Sequence, residues 1–252
     1  MSITTVITPT FLKTNYLFGI DLTDDSGTAF PDSLFTQAIK GAAAMIEGEL
    51  DISLTYDSFD ERIDAYRPDQ EGFFLLNLLK RPVWEVTQLG LRFGSFQEGS
   101  VPATWALVRE PLSGQIQIIP GPEATFISTY TSGYPLYGYH SLTPNRYVPG
   151  WFRVVYKAGY DGTAGREYPD DIIDAVSLLA SMLPLDTAGD LIVGAGIASK
   201  STIMDGLSTS INTTSSATNS GYGARALQYN KRLKLLMHSM RAKYRGNSLA
   251  VI

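Results

Sequence analysis

The 252-residue chain contains no cysteine. That excludes disulfides, a thiolate metal site and a thiol nucleophile, and leaves the redox compartment open. Histidine is nearly as scarce. His140 and His238 lie far apart and neither belongs to an HExxH-type ligand motif, so no metal site is expected. There is no GxxxxGK[ST] phosphate loop and no G-x-S-x-G nucleophile elbow. Gly194-Ala195-Gly196 lacks the strand before it and the helix after it that a dinucleotide-binding loop requires. Asp170, Asp171 and Asp174 cluster at an expected helix start, where carboxylates suit the positive end of the helix dipole. Glu47 and Glu49 flank a glycine late in another helix. No catalytic constellation emerges, and neither an enzyme nor a cofactor is expected. No apolar run approaches the length of a membrane span, and no basic region leads into an apolar one as in a signal peptide.

Acidic residues are missing from the last stretch of the chain, where basic ones gather. Residues 206–252 carry seven basic residues and no acid, a net +7, which leaves −12 on the rest. An acidic body with a basic tail can attract further copies of itself head to tail, or dock on an acidic partner. The overall net charge of −5 argues against general nucleic-acid binding.

The best-formed stretch is Trp151 to Leu183. Trp151, Arg153, Val155 and Lys157 alternate with Phe152, Val154, Tyr156 and Ala158, the period of a half-buried strand. Gly159, Gly162 and Gly165 mark a loop. Pro169-Asp170-Asp171 then opens a helix whose apolar face is Ile172, Val176, Leu179 and Leu183, with Pro184 as its expected stop.

The rest of the chain reads as α+β around this stretch: a helical bundle (helices near 32–50, 170–183 and 220–246) with an inserted antiparallel β module and a long extended loop. Residues 1–30 read as an extended N-terminal arm with a turn-rich loop over Asp21 to Gly27. Residues 31–51 and 169–185 form the expected helical core. Leu34, Phe35, Ala38, Ile39, Ala42, Met45, Ile46 and Leu50 make its first stripe. Residues 52–160 read as the β module, with a hairpin signal at Glu110-Pro111-Leu112-Ser113-Gly114. A Tyr-rich insertion, 121–150, holds Tyr130, Tyr134, Tyr137 and Tyr139, an interface composition because tyrosine offers contact area and a polar tip at low entropy cost. Residues 186–219 read as an extended or hairpin-like Ser/Thr-rich loop in which Ile203, Leu207 and Ile211 are candidate anchors that order on contact. Residues 220–252 form a basic C-terminal helix and apolar tip. Tyr222, Ala226, Tyr229, Leu233, Leu236, Met240 and Tyr244 make its seam. The candidate portal or subunit interface is Tyr222, Arg225, Tyr229, Arg232, Leu236, Met240, Arg241, Lys243, Tyr244, Arg245, Leu249 and Ile252.

Three segments, in order, resemble one family. They are Asp32 to Leu54; Leu78-Leu79-Lys80-Arg81-Pro82-Val83-Trp84-Glu85-Val86-Thr87; and Val154 to Tyr160 with Tyr168-Pro169-Asp170-Asp171-Ile172. Together they are similar to the first helix, the β segment with its Pro-Val, and the strand ending in Ala-Gly-Tyr before a Pro-initiated helix, in head-to-tail connector (adaptor or head-completion) proteins of tailed bacteriophages. The resemblance covers residues 32–185, with 121–150 as an insertion. It implies a structural protein of the virion neck, assembled in the host cytoplasm, that forms a ring, commonly of twelve copies. The implied partners are further copies of the chain, the portal protein, and stopper or tail proteins. Viral DNA would pass through without sequence-specific binding, and no membrane partner is implied. An acidic channel wall fits such passage, since attraction to phosphate comes from Lys and Arg. Two other readings remain open on the residues: a carbohydrate-binding or host-recognition module built on the tyrosines, and another tail-completion or baseplate protein.

Overall fold

The computed structural model describes residues 2–24, 26–66, 75–93, 97–119, 147–193, 199–204, 207–212 and 222–244. The fold is α+β. The chain divides into two compact units. The first comprises Met1–Leu50 and Asp161–Ala242, the second Asp51–Tyr160 and Lys243–Ile252. The second is thus largely an insertion into the first.

The first unit is helical. It begins with α1 (Ile3–Val6) and α2 (Pro9–Asn15), where an extended arm is expected from the sequence. The physical reason is local: Thr8 caps α2 by accepting from the Phe11 N–H at 3.1 Å, and Pro9 occupies the first turn, where its missing N–H costs nothing. Ile3, Ile7, Leu12 and Leu17 are buried, so this segment is core. The loop that follows closes on a Thr23–Ala29 bridge, with the Asp24 carboxylate accepting from the Ser26 and Thr28 N–H groups. Helix α3 (Asp32–Leu50) buries Phe35, Ala38, Ile39, Ala42, Ala43, Ile46 and Leu50.

Helix α4 (Asp170–Val193) starts where expected but does not stop at Pro184. It runs nine residues further, over ground assigned to the Ser/Thr-rich loop. An internal proline costs roughly 3 kcal/mol. Here Ala180, Pro184, Leu185 and Ala188 are all buried around the break, and that packing outweighs the lost hydrogen bond. By length and composition α4 could cross a membrane over Asp170–Leu191, contrary to the expectation that no stretch would. In the fold 61% of that segment is buried, as in a core helix of a globular protein. The strands β8 (Ser199–Met204) and β9 (Leu207–Asn212) pair as a hairpin, and α5 (Gly223–Tyr244) closes the unit.

The second unit holds two antiparallel sheets. β1 (Asp57–Tyr66), β7 (Tyr147–Ala158), β3 (Val83–Phe93) and β4 (Gln97–Val101) form one, in the order β1-β7-β3-β4. β2 (Leu75–Asn77), β6 (Gln115–Ile118) and β5 (Ala106–Glu110) form the other, in the order β2-β6-β5. The alternation read in β7 decides the core. Phe152, Val154, Tyr156 and Ala158 are buried with Leu76, Leu78, Leu89, Ile116 and Ile118. β1 and β7 shift register between Ile63 and Ala65, where the Asp64 carboxylate accepts from the Gly150 N–H at 2.7 Å.

Two of the three segments singled out in the sequence interlock inside this unit. The Gly159 N–H donates to the Pro82 carbonyl at 2.9 Å, and Trp84 Nε1 donates to the Gly159 carbonyl at 2.6 Å. Gly159 has φ +103, and a Cβ placed there would lie 2.2 Å from the Thr55 carbonyl oxygen. The Ala-Gly-Tyr sequence therefore has a steric cause: Ala158 and Tyr160 fill core on either side of a residue with no room for a side chain. Beside it, the Tyr156 hydroxyl accepts from the Lys80 N–H at 3.0 Å and donates to Glu61 at 2.9 Å. Burial, the largest cause, raises the Tyr156 pKa.

Candidate interaction surface

Helix α5 carries most of the residues proposed as an interface, and several are engaged within their own unit. Arg225 Nη1 donates to the Phe18 carbonyl at 2.9 Å, and its guanidinium lies 5.7 Å from the Tyr229 ring centroid. The Tyr229 hydroxyl donates to the Tyr16 carbonyl. The Tyr16 hydroxyl donates to Asp174 Oδ1 at 2.8 Å, and Arg232 pairs with Asp174 Oδ2 at 2.8 Å. Burial, then the Asp174 hydrogen bond, raises the Tyr16 pKa to about 12. Arg241 pairs with Glu49, and Met240 is buried. This network ties α5 to α2, α3 and α4. Removing residues 220–252 would strip those partners away.

Other candidates are placed differently. Tyr222 is half-buried and its carbonyl accepts from the Arg225 and Ala226 N–H groups, which starts the helix. Leu236 is half-buried. In the second unit Tyr244 is buried, its carbonyl accepts from Arg81 Nη1 at 3.0 Å, and the exposed Lys243 ammonium lies 4.8 Å from its ring centroid. In the β8–β9 hairpin, Ile203 lies opposite Ser208, Leu207 opposite Met204 and Ile211 opposite Lys200. Arg245, Leu249, Ile252, Tyr130, Tyr134, Tyr137 and Tyr139 lie outside the described residues.

The outward side of the first unit offers what the seam does not. Leu227, Lys231, Lys234, Leu235 and His238 are exposed on α5, residues the seam pattern passed over because it selects the buried face. Alongside runs an open groove of about 550 Å³ between α3, α4 and α5, lined by Met45, Ile46, Gly48, Leu179, Leu233 and Met237 among others. On α4, Leu183, Asp190 and Leu191 are exposed, and Asp186 Oδ1 is buried with no donor. Burial, then the charge of Asp190, raises the Asp186 pKa. Among the described residues no group of three or more His, Cys, Asp or Glu is placed to hold a metal ion. These surfaces can support association between macromolecules.

No protein-family model and no curated protein matches this chain. Among solved structures it is similar to a chain of the virion of a native gene transfer agent particle, at 20% identity and a TM-score of 0.44, over 72% of this chain and 79% of that one. It is similar to a chain from the neck of an empty gene transfer agent particle with C6 symmetry, at 22% identity and a TM-score of 0.42, over 70% and 77% of the two chains. It is also similar to a chain from the neck of the native particle with C12 symmetry, at 24% identity and a TM-score of 0.39, over 60% and 69%. Likeness of this depth assigns no role to the chain.

Proposed function

We propose that this chain is a structural protein of a phage-type virion neck, many copies of which form a ring that joins the portal to the stopper or tail around the DNA exit channel. One observation carries the reading. The segments that resemble connector proteins do structural work together: the Pro82-Val83-Trp84 stretch is bonded to Gly159, at the end of the strand that leads into the Pro169-initiated core helix. A helical unit interrupted by a β unit is what that resemblance implies. The polarity of charge supports a ring as well, because a ring repeats a contact between two different patches, and acidic and basic regions of one chain supply them. The candidate residues on α5, with Arg245, Leu249 and Ile252 beyond it, form the portal or subunit interface in this reading. Chemistry has no part in it. DNA passes the lumen without specific contacts, and a strongly basic lumen in the assembled ring would contradict that passage.

The test is to image virions carrying a tagged copy of the chain by electron microscopy and count copies at the tag. Density between portal and tail, repeated around the axis, is the expected result. Density at a baseplate or on fibres, or none on the particle, refutes the reading.

A further inference from the structure

Two exposed helix faces of the first unit share one spacing and carry opposite charge. On α4, Leu183 (49% exposed) and Leu191 (38%) stand eight residues apart, with Asp186 and Asp190 three and seven residues after Leu183. On α5, Leu227 (36%) and Leu235 (77%) also stand eight apart, with Lys231 and Lys234 four and seven residues after Leu227. Steps of three, four, seven and eight keep side chains on one side of a helix, and eight residues span about 12 Å. Among the described residues, Asp190, Lys231 and Lys234 are exposed and form no ion pair. Asp186 Oδ1 has no donor although it is buried, and Asp190 adds a like charge near it. Asp190 therefore lacks a cation on the α4 face, and Lys231 and Lys234 lack an anion on the α5 face. Among the described residues no ion pair joins Asp190 to Lys231 or Lys234 within one copy.

We propose that the α4 face of one copy docks against the α5 face of the next, helices parallel, with Leu183 on Leu227, Asp190 facing Lys234 and Leu191 on Leu235. The occupant of each face is a second copy of this chain. The two patches differ, so the contact is heterologous and repeats from copy to copy until it closes on itself. Leucines at the two ends exclude water from the charged pair between them, which strengthens that pair. The inference rests on the ring reading for its biological setting, but the contact itself is measurable on the purified chain.

Two measurements decide it. Sedimentation over a concentration series should show the wild-type chain associating, more weakly at high salt. Asp190→Lys and Lys234→Asp should each weaken association about tenfold or more, because each sets like charges face to face. The double variant Asp190→Lys/Lys234→Asp restores opposite charges and should recover it. The chain has no cysteine, so Leu191→Cys/Leu235→Cys should give a disulfide-linked ladder on oxidation. Leu191→Cys/Leu227→Cys should not, since a disulfide needs Cα atoms within roughly 7 Å. A monomeric wild type, single reversals that associate normally, a double variant that stays monomeric, or equal ladders from both cysteine pairs would each overturn the proposal. A chain that forms the ladder but is absent from necks would refute the neck role and leave the contact standing.

Discussion

Replacing Gly159 with alanine puts a methyl group into a space that does not exist. The new Cβ would lie 2.2 Å from the Thr55 carbonyl oxygen and 2.7 Å from its carbon. Neither side yields easily. Gly159 is held by the Pro82 carbonyl on its N–H and by Trp84 Nε1 on its carbonyl. The Thr55 carbonyl accepts from the Ser53 hydroxyl at 2.7 Å, and the Ser53 N–H donates to the Arg81 carbonyl at 2.7 Å. The backbone at φ +103 adds strain of about 1–3 kcal/mol for a residue with a side chain. Forcing the methyl into packed core adds about 1–3 kcal/mol. The sum, about 2–6 kcal/mol, is a large part of the roughly 5–15 kcal/mol that holds a domain folded. All three tryptophans, Trp84, Trp105 and Trp151, lie in the second unit, so tryptophan fluorescence during urea unfolding reads that unit alone. The Gly159→Ala transition should move to much lower urea, while far-ultraviolet dichroism still shows the helical unit melting later. Gly165→Ala, at φ +87 with nothing within 4 Å of the added atom, is the control and should cost about 1 kcal/mol. If Gly159→Ala shifts the fluorescence midpoint no more than the control shifts the helical one, the steric account of the Ala-Gly-Tyr sequence is wrong.

Gly41, inside α3 with open space around its added Cβ, should behave oppositely: Gly41→Ala should stabilise the helical unit by about 0.5–1 kcal/mol in dichroism-monitored unfolding. Tyr229→Phe removes a part-buried hydrogen bond to the Tyr16 carbonyl and should cost about 1 kcal/mol in the same assay. Tyr16 and Tyr168 both have pKa values pushed up from 10.0 to about 12, chiefly by burial. A group raised on folding stabilises fully below its unfolded pKa, so their contribution should hold to pH 10 and vanish as pH climbs through 12; helical ellipticity unchanged across that window would contradict it. Arg153→Ala breaks an exposed pair with Asp60 and should change stability by no more than about 1 kcal/mol, read by tryptophan fluorescence.

Elements whose pattern matched their burial were legible in the sequence. The stripe on α3 and the alternation on β7 both correspond to buried faces, although in the stripe Leu34 is only half-buried and Met45 is 65% exposed beside the groove. The reading failed where local signals met tertiary packing. Pro184 fails to stop α4 because Pro184, Leu185 and Ala188 are packed in the core, which offsets the lost hydrogen bond. The N-terminal helices are too short for periodicity to reveal, and only the Thr8-Pro9 start marked them. On α5 the apolar seam was legible, but the bonds of Arg225, Tyr229 and Arg232 to residues 18, 16 and 174 were not. Sequence cannot distinguish an arginine waiting for a partner from one that has found it in residue 174.

The pairing of β1 with β7 sets Asp57 opposite Ala158, which brings the entry and exit of the inserted unit together. In folding terms, that pairing is a clasp on a loop of some hundred residues. Until it forms, α3 and α4 are far apart along the chain and their meeting carries the full loop-closure entropy. Once it forms, they are neighbours joined by a short effective tether. The helical unit should therefore mature after the β unit, and α5, which follows α4 in the chain, should lock it. A slow phase in helix formation that Gly159→Ala lengthens would be the kinetic trace of that order.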